Sequence, residues 1–260
     1  MTKHFGRVMV EGQIHFVRWE NGQVGLLRDN FLTNPDAPVT TWRALEEVKI
    51  LPPVEPRTVL AVGRNYQAHA AELGNAVPSE PLFFLKQVGS VVGDGAPVRI
   101  PVDMGRIDFE GELVLVIGKS CSQLTTIEEA AQCIWGYTIG NDVTARDLQK
   151  KDGQWVRAKG YDTFAPLGPW VVSGLDVEDL RLVTTVNHAV RQDGTTRHMI
   201  FKPADLVLRA SQFMTLEPGD VIYTGTPEGI GPIKDGDLVQ ITIDGIGTLS
   251  NLIKTRDSLT

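Results

Sequence analysis

The stretch that decides the fold of this 260-residue chain is Asp108-Phe109-Glu110-Gly111-Glu112-Leu113-Val114-Leu115-Val116-Ile117-Gly118. Side chains alternate across a β-strand, so Glu110 and Glu112 are predicted to point to the same face. The residues after them are apolar in both phases, which is typical of a strand buried on both faces. The sequence therefore predicts a central strand that begins with two carboxylates at the mouth of the interior.

When two carboxylates lie this close together at a site partly shielded from water, their negative charge must be neutralised by a proton, a basic side chain or a cation. One interpretation is a hard divalent cation held by oxygen ligands. The alternative is an exposed strand start that carries two solvated glutamates. The stretch alone leaves both interpretations open, because Glu-x-Glu is a common pair.

Composition narrows the class of protein. Hydrophobic residues make up 42% of the chain and charged residues 22%, as in ordinary globular proteins. The net charge of -7 argues against nucleic acid and anionic membrane surfaces as partners. The start of the chain does not resemble a signal peptide, and the apolar runs are too short for a membrane span, so we expect a cytoplasmic protein. Cys121 and Cys133 alone indicate neither a zinc site nor a disulfide framework.

The chain divides at a proline-marked segment. Residues 5–30 alternate in hydrophobicity, and Asn21-Gly22 between alternating runs predicts a hairpin. Several prolines between residues 35 and 56 mark a linker. We therefore predict a small N-terminal β-hairpin domain over residues 1–55 and a larger domain over residues 56–260, which holds the candidate site residues named below, in a mainly β (α+β) fold.

His69 and Glu72 follow an apolar strand that ends at Gly63, in a helix predicted to stop at Gly74. Residues three apart are neighbours on a helix surface, so the carboxylate can orient the imidazole and raise its basicity. Such a pair can activate a water molecule. The alternative is an exposed His–Glu pair without a chemical role.

Three further side chains carry candidate chemistry. Asp142 comes directly after a strand and is a candidate third ligand, or else a helix N-cap. Lys159 lies among apolar and turn residues and can offer charge to a developing oxyanion, or else is simply solvated. Thr226 lies in a glycine-rich loop without a nucleotide motif, where it and backbone amides can hold a carboxylate.

Two local predictions concern turns and caps. Thr125 with Glu128 matches a helix capping box. Asp193-Gly194 is predicted to form a turn between strands.

Taken together, five segments resemble the fumarylacetoacetate hydrolase family and occur in its order across roughly residues 55 to 253. Relatives of this type include acylpyruvases, oxaloacetate decarboxylases and 2-hydroxyhepta-2,4-diene-1,7-dioate isomerases. In this chain Gln87 follows Lys86, where many relatives have proline. The segments are Gly63-Arg64-Asn65-Tyr66 with His69 and Glu72, Asp108 to Leu113, Gly140 to Asp147, Lys159 to Asp162, and Thr224 to Gly229.

The resemblance implies a mixed β-sandwich/β-roll in a homodimer that acts on a small 2-oxo acid or dicarboxylate. It implies that Mg²⁺ or Mn²⁺ is bound by Glu110, Glu112 and Asp142. It also implies that Lys159 stabilises an oxyanion and that His69 and Glu72 form a water-activating dyad on a lid. The substrate-binding residues that it implies are Arg64, Asn65, Tyr66, Gln149 and Thr226.

The reaction expected first is cleavage of the C3–C4 bond of 2-oxo acids through a metal-stabilised enolate. It takes the form of acylpyruvate hydrolysis or oxaloacetate decarboxylation, and the His–Glu pair favours it. The alternative is an enol–keto tautomerase or isomerase of dicarboxylates such as oxaloacetate or 2-hydroxyhepta-2,4-diene-1,7-dioate. An alternative of another class is a non-catalytic dicarboxylate-binding protein stabilised by its metal.

Overall fold

The computed structural model describes residues 2–72, 74 and 78–256 and is mainly β. The helices in this part of the chain are short: α1 Gln67–Glu72, α2 Ile127–Ala131, α3 Arg146–Asp152, α4 Val156–Lys159 and α5 Pro203–Ala210. Single 3-10 turns occupy Leu45–Glu47, Val88–Ser90 and Thr196–His198. The strands are β1 Lys3–Val10, β2 Gln13–Glu20, β3 Gln23–Leu27, β4 Val39–Ala44, β5 Lys49–Leu51, β6 Val59–Gly63, β7 Leu82–Lys86, β8 Val91–Val92, β9 Val98–Pro101, β10 Ile107–Phe109, β11 Gly111–Ile117, β12 Ile134–Asn141, β13 Thr144–Ala145, β14 Ala165–Ser173, β15 Arg181–Val186, β16 Ala189–Thr195, β17 Val221–Tyr223, β18 Gly231–Pro232, β19 Leu238–Ile243 and β20 Gly247–Arg256.

Three sheets are formed by the described residues. The main path of the largest, a 12-stranded sheet, runs β4-β3-β2-β1-β14-β12-β11-β17-β6-β7. A five-stranded sheet has the order β16-β15-β19-β20-β9, and a three-stranded sheet has the order β13-β10-β18. The largest sheet contains mixed pairings, since β17 pairs with β6 in parallel and with β11 antiparallel.

The strand β11 lies near the middle of the largest sheet and is buried along its whole length. Leu113 packs with residues of the five-stranded sheet, and Leu115 packs with the apolar side of α5. Val114, on the other face, packs in a cluster that includes Phe5 and Phe31. The predicted burial of both faces is therefore confirmed, and it explains the continuous apolar run.

The N-terminal strands extend the largest sheet rather than forming a sheet of their own. β1 pairs antiparallel with β14, with Phe5 opposite Val171. The predicted hairpin at Asn21-Gly22 joins β2 to β3, and both turn residues have positive φ. β4 and β5 lie in the segment predicted to be a linker. The division near residue 55 stays a prediction.

Two local predictions differ from the structure. The capping box uses Thr126 and Glu129, one residue later than expected, because the Thr126 hydroxyl accepts from Glu129 N. Asp193-Gly194 is not a turn but lies inside β16; the chain reverses at Asn187-His188, where both residues have positive φ. Asparagine tolerates this left-handed conformation because its short polar side chain hydrogen-bonds locally.

Two expectations from composition can be compared with this fold. Cys121 and Cys133 are buried free thiols. Within the described ranges, none of the helices has the length and apolarity needed to span a lipid bilayer.

Candidate active site

Three buried carboxylates meet where strands of the largest sheet end. Glu110 lies in a one-residue interruption between β10 and β11, Glu112 is the second residue of β11, and Asp142 follows β12. Each offers an oxygen, and these oxygens lie within 4.8 Å of one another. None of the three residues is more than 4% exposed. We call Glu110, Glu112 and Asp142 the acid trio.

Hydrogen bonds to residues that follow β12 or end it hold the backbone of Glu110 in place between β10 and β11. Glu110 N donates to Asn141 Oδ1 at 2.9 Å, and Asp142 N donates to Glu110 O at 2.9 Å. A side-chain amide thus takes the place of a backbone partner in the ladder. These bonds fix the position of Asp142 relative to Glu110.

Basic side chains surround two members of the acid trio. Lys159 Nζ donates to Glu110 Oε2 at 2.9 Å, to Asp142, and to Thr144 Oγ1 at 2.8 Å. Although burial opposes ionisation of the lysine, the charges of Asp142 and Glu110 raise the pKa of Lys159. Lys86 Nζ donates to the other oxygen of Asp142 at 2.5 Å.

Arg146 joins the acid trio to a fourth carboxylate. It donates through Nε to Asp108 Oδ2 at 2.7 Å, through a terminal nitrogen to Glu110, and to Gln149 Oε1 at 2.9 Å. Burial alone would raise the pKa of Glu110, but the charges of Lys159 and Arg146 lower it well below its ordinary value. Glu110 is therefore held as a carboxylate.

Glu112 differs from its neighbours. Among the residues that the structure describes, no basic side chain forms an ion pair with it; one oxygen accepts from Gly225 N at 2.6 Å. Burial, and then the charges of Asp142 and Glu110, raise the pKa of Glu112 well above its ordinary value. A carboxylate trio with one uncompensated member fits a hard divalent cation, which prefers oxygen ligands and supplies the missing charge.

The His69–Glu72 pair forms as predicted. His69 Nδ1 lies 3.2 Å from Glu72 Oε2, and the other Glu72 oxygen accepts from Gly229 N at 3.2 Å. Helix α1 ends at Glu72, and Leu73, where the predicted helix continues toward Gly74, lies outside the described residues. Because Nδ1 faces Glu72, Nε2 is the ring nitrogen that remains for chemistry.

The hydroxyl of Thr226 is already occupied within the protein. It donates its hydrogen to Gly111 O at 2.8 Å and accepts from Gln192 Nε2 at 2.7 Å. A hydroxyl has a single hydrogen to donate. Thr226 therefore lines the site but has no hydrogen left for a substrate carboxylate in this arrangement.

A cavity of about 290 Å³ is lined by Glu110 and Glu112 of the acid trio. It brings together seven of the residues predicted from sequence, whereas Asn65, Tyr66, Glu72 and Asp142 do not line it. Asn65 binds the backbone of Phe201 and Thr224, which indicates a structural role. The predicted residues on the cavity wall are Arg64, His69, Glu110, Glu112, Gln149, Lys159 and Thr226.

Sequence reasoning assigned no role to four residues of this region. Arg146, Lys150 and Trp155 line the cavity, and Lys86 donates a hydrogen bond to Asp142. Arg146 and Lys150 are four apart on α3, the spacing that places two side chains on one helix face. This spacing of two basic residues was the one feature of the sequence that could have indicated that both side chains belong to the site. Trp155 also lines a second, largely apolar groove, together with Phe84.

The chain is similar in sequence to a known protein family and to several of its members. The family model described as fumarylacetoacetate (FAA) hydrolase C-terminal matches residues 58–254. Protein Rv2993c of Mycobacterium tuberculosis is 49% identical over 82% of this chain and 82% of its own length. Oxaloacetate tautomerase YisK of Bacillus subtilis is 40% identical over 81% of this chain and 74% of its own length.

A solved structure extends the likeness to nearly the whole chain. The 2-hydroxyhepta-2,4-diene-1,7-dioate isomerase of Mycobacterium marinum is 41% identical, covers 98% of this chain and 100% of its own, and has a TM-score of 0.91. The chain belongs to the fumarylacetoacetate hydrolase family, and its fold is that of the family. It is an enzyme of that family, as the sequence motifs predicted.

Proposed function

We propose that this enzyme interconverts the enol and keto forms of 2-oxo dicarboxylates, with oxaloacetate as the first candidate substrate. One observation carries the proposal: two members of the acid trio, Glu110 and Glu112, line one cavity together with Lys159 and the oriented imidazole of His69. Tautomerisation needs a group that stabilises the negative charge of the enolate and a group that transfers a proton. Relatives named as a tautomerase and an isomerase favour this reaction over C3–C4 cleavage, the reaction expected first.

We infer that the acid trio holds Mg²⁺ or Mn²⁺. When bound there, such an ion supplies Lewis-acid stabilisation of negative charge on a 2-oxo acid. Lys159 adds a fixed positive charge on the same side of the cavity, within 2.9 Å of Glu110. Its position among three oxygen acceptors holds the ammonium group in one place.

His69 carries the proton in this scheme. During ketonisation the hydroxyl on C2 gives up a proton and C3 gains one, so one group that both accepts and donates is sufficient. His69 Nε2 performs both steps while Glu72 holds the ring through Nδ1. Gly229 N in turn restrains Glu72, and Glu72 holds His69, which lines the cavity.

The direct experiment supplies freshly prepared enol-oxaloacetate and follows the enol absorbance, pyruvate and CO₂ separately, with Mg²⁺, with Mn²⁺ and after chelation. We expect enol decay that depends on the metal and leaves oxaloacetate intact. Stoichiometric pyruvate with CO₂ would instead identify a decarboxylase. A metal effect on stability without any turnover would identify the non-catalytic binding protein.

Hydrolytic C3–C4 cleavage is a second candidate because a His–Glu pair can also activate water for attack on an acylpyruvate. His69→Ala distinguishes the roles. We expect it to lower both enol–keto conversion and acylpyruvate hydrolysis about 100-fold, since general acid–base groups contribute at least that much. Metal-assisted oxaloacetate decarboxylation needs no such group and should change little.

The exposed His198→Ala serves as the matched control for His69. Equal loss of all three activities in His69→Ala would contradict a proton-carrying or water-activating role. Such a result would instead indicate a general effect on the site.

Arg64 and Lys150 are the proposed partners of the second substrate carboxylate. Both line the cavity, and neither forms an ion pair with another residue in the described ranges, whereas Lys159 and Arg146 already pair with buried carboxylates. We expect Arg64→Leu to raise KM for oxaloacetate about tenfold with little change in kcat, because a charge-assisted hydrogen bond is lost. An alkyl acylpyruvate, with one carboxylate, should be less affected.

The measurement is steady-state kinetics on both substrates. Lys151→Leu, at an exposed position on the same helix as Lys150, is the control. A uniform change in KM for the two substrates would contradict recognition of the second carboxylate. The homodimer and the cytoplasmic location expected from sequence stay predictions.

A further inference from the structure

Gln192 is a buried amide in a strand that otherwise faces solvent. In β16 the preceding three residues are exposed and the following Asp193 is exposed, but Gln192 has no exposed surface. A buried side-chain amide costs free energy unless its hydrogen bonds are made. The partners of Gln192 therefore indicate what this position does.

All the partners of Gln192 belong to the candidate active site. Its Oε1 accepts from Gly111 N at 3.0 Å. Its Nε2 donates to Thr226 Oγ1 at 2.7 Å and to Pro227 O at 2.9 Å, which uses both amide hydrogens. One side chain thus connects the strand of the acid trio to the Thr226 loop.

Gly111 is the residue between Glu110 and Glu112, so its orientation sets where those carboxylates point. Its N–H is held by Gln192, and its carbonyl accepts from Thr226. A Cβ atom at this position would collide with Thr184 Oγ1 on β15, so the five-stranded sheet packs directly against the glycine. Gly111 is therefore held by hydrogen bonds at both its N–H and its carbonyl and by packing against β15.

We propose that Gln192 is a positioning residue that fixes the Glu110–Glu112 segment and the Thr226–Pro227 loop relative to each other. It touches no part of the cavity and acts through Gly111 and Thr226. Gln192 therefore sets the affinity of the acid trio for a divalent cation. Because Thr226 forms part of the cavity wall, Gln192 also sets KM for the dicarboxylate. The inference rests on the proposed function only for the expected effect on KM.

The test is Gln192→Leu, which removes all three hydrogen bonds with little change in volume. Mn²⁺ titration by calorimetry, without substrate, should give a dissociation constant about 10–100-fold higher, the usual effect of losing a residue that orients metal ligands. KM for oxaloacetate should rise about tenfold. Thr184→Val is the matched control: Thr184 is equally buried beside Gly111, but its hydroxyl has no hydrogen-bond partner among the described residues.

A lower melting temperature for Gln192→Leu, with Mn²⁺ affinity and KM within twofold of wild type, would overturn the proposal, since a merely structural role moves only stability. If that variant does not fold, Gln192→Glu is used, which retains the shape and the acceptor for Gly111 N. It lacks the amide hydrogens that reach Thr226 and Pro227, so an unchanged KM would contradict positioning of the loop. Absence of turnover in wild type would refute the proposed function, while the Mn²⁺ titration would still decide the role of Gln192.

Discussion

Replacing Glu112 with glutamine should abolish divalent metal binding and lower kcat/KM at least about 1000-fold, the largest effect that we expect from a single substitution. Glutamine has the shape of glutamate and keeps an acceptor for Gly225 N. The change therefore removes charge without removing the hydrogen bond. Mn²⁺ titration and metal-dependent enol decay measure the two losses.

Stability distinguishes this prediction from simple damage to the fold. Glu112 is buried without an ion-pair partner among the described residues, and its raised pKa means that its ionisation disfavours the metal-free fold. That cost is present as pH rises above the ordinary value of a glutamate carboxyl, and glutamine lacks it. At neutral pH, metal-free Glu112→Gln should unfold at a temperature no lower than metal-free wild type.

Glu128→Gln, at an exposed position on α2, is the matched control. It should leave metal affinity, turnover and melting temperature unchanged. Wild-type Mn²⁺ dependence in Glu112→Gln would show that the acid trio is not the metal site.

Lys159→Met should lower kcat/KM by about 100–1000-fold and also destabilise the protein. The activity falls because a charge that stabilises the oxyanion is lost. The free energy of unfolding should fall by about 3–5 kcal/mol, since removing one partner of a buried ion pair leaves the other charge uncompensated. Lys159 is 2% exposed and contacts Glu110 and Asp142, so both carboxylates lose a partner.

Added metal provides the diagnostic for Lys159→Met. A divalent cation on the acid trio replaces part of the missing positive charge, so Mn²⁺ should raise the melting temperature of the variant more than that of wild type. Lys151→Met, an exposed lysine on α3, is the control. Wild-type stability in metal-free Lys159→Met would contradict the ion pairs described for the site.

The run of residues that are apolar in both phases predicted the central strand, and the alternation of side chains along a strand predicted that Glu110 and Glu112 point the same way. Neither feature predicted the interruption at Glu110. That interruption depends on the side-chain amides of Asn141, which lies 31 residues after Glu110, and of Gln192, which lies 81 residues after Gly111. A local pattern carries no information about partners that only the completed fold supplies.

The N-terminal segment shows a second limit of local reasoning. Prolines between residues 35 and 56 suggested a linker, yet β4 and β5 pair with β3 and β1 there. Proline is tolerated at strand ends and in the turns between short strands, so its presence did not exclude them. The reaction was harder still to predict, since an electron sink and a basic imidazole serve tautomerisation and C–C cleavage alike.

The residues that hold the Glu110–Glu112 segment differ from most of those that line the cavity, and this separation affects how the substrate range of the enzyme can be changed. The ligand-bearing segment is anchored by the side-chain amides of Asn141 and Gln192, neither of which lines the cavity. The rim is built from other positions, among them Arg64, Lys150 and Trp155. Directed evolution can therefore randomise the rim to accept new acyl tails while the reaction centre keeps its geometry.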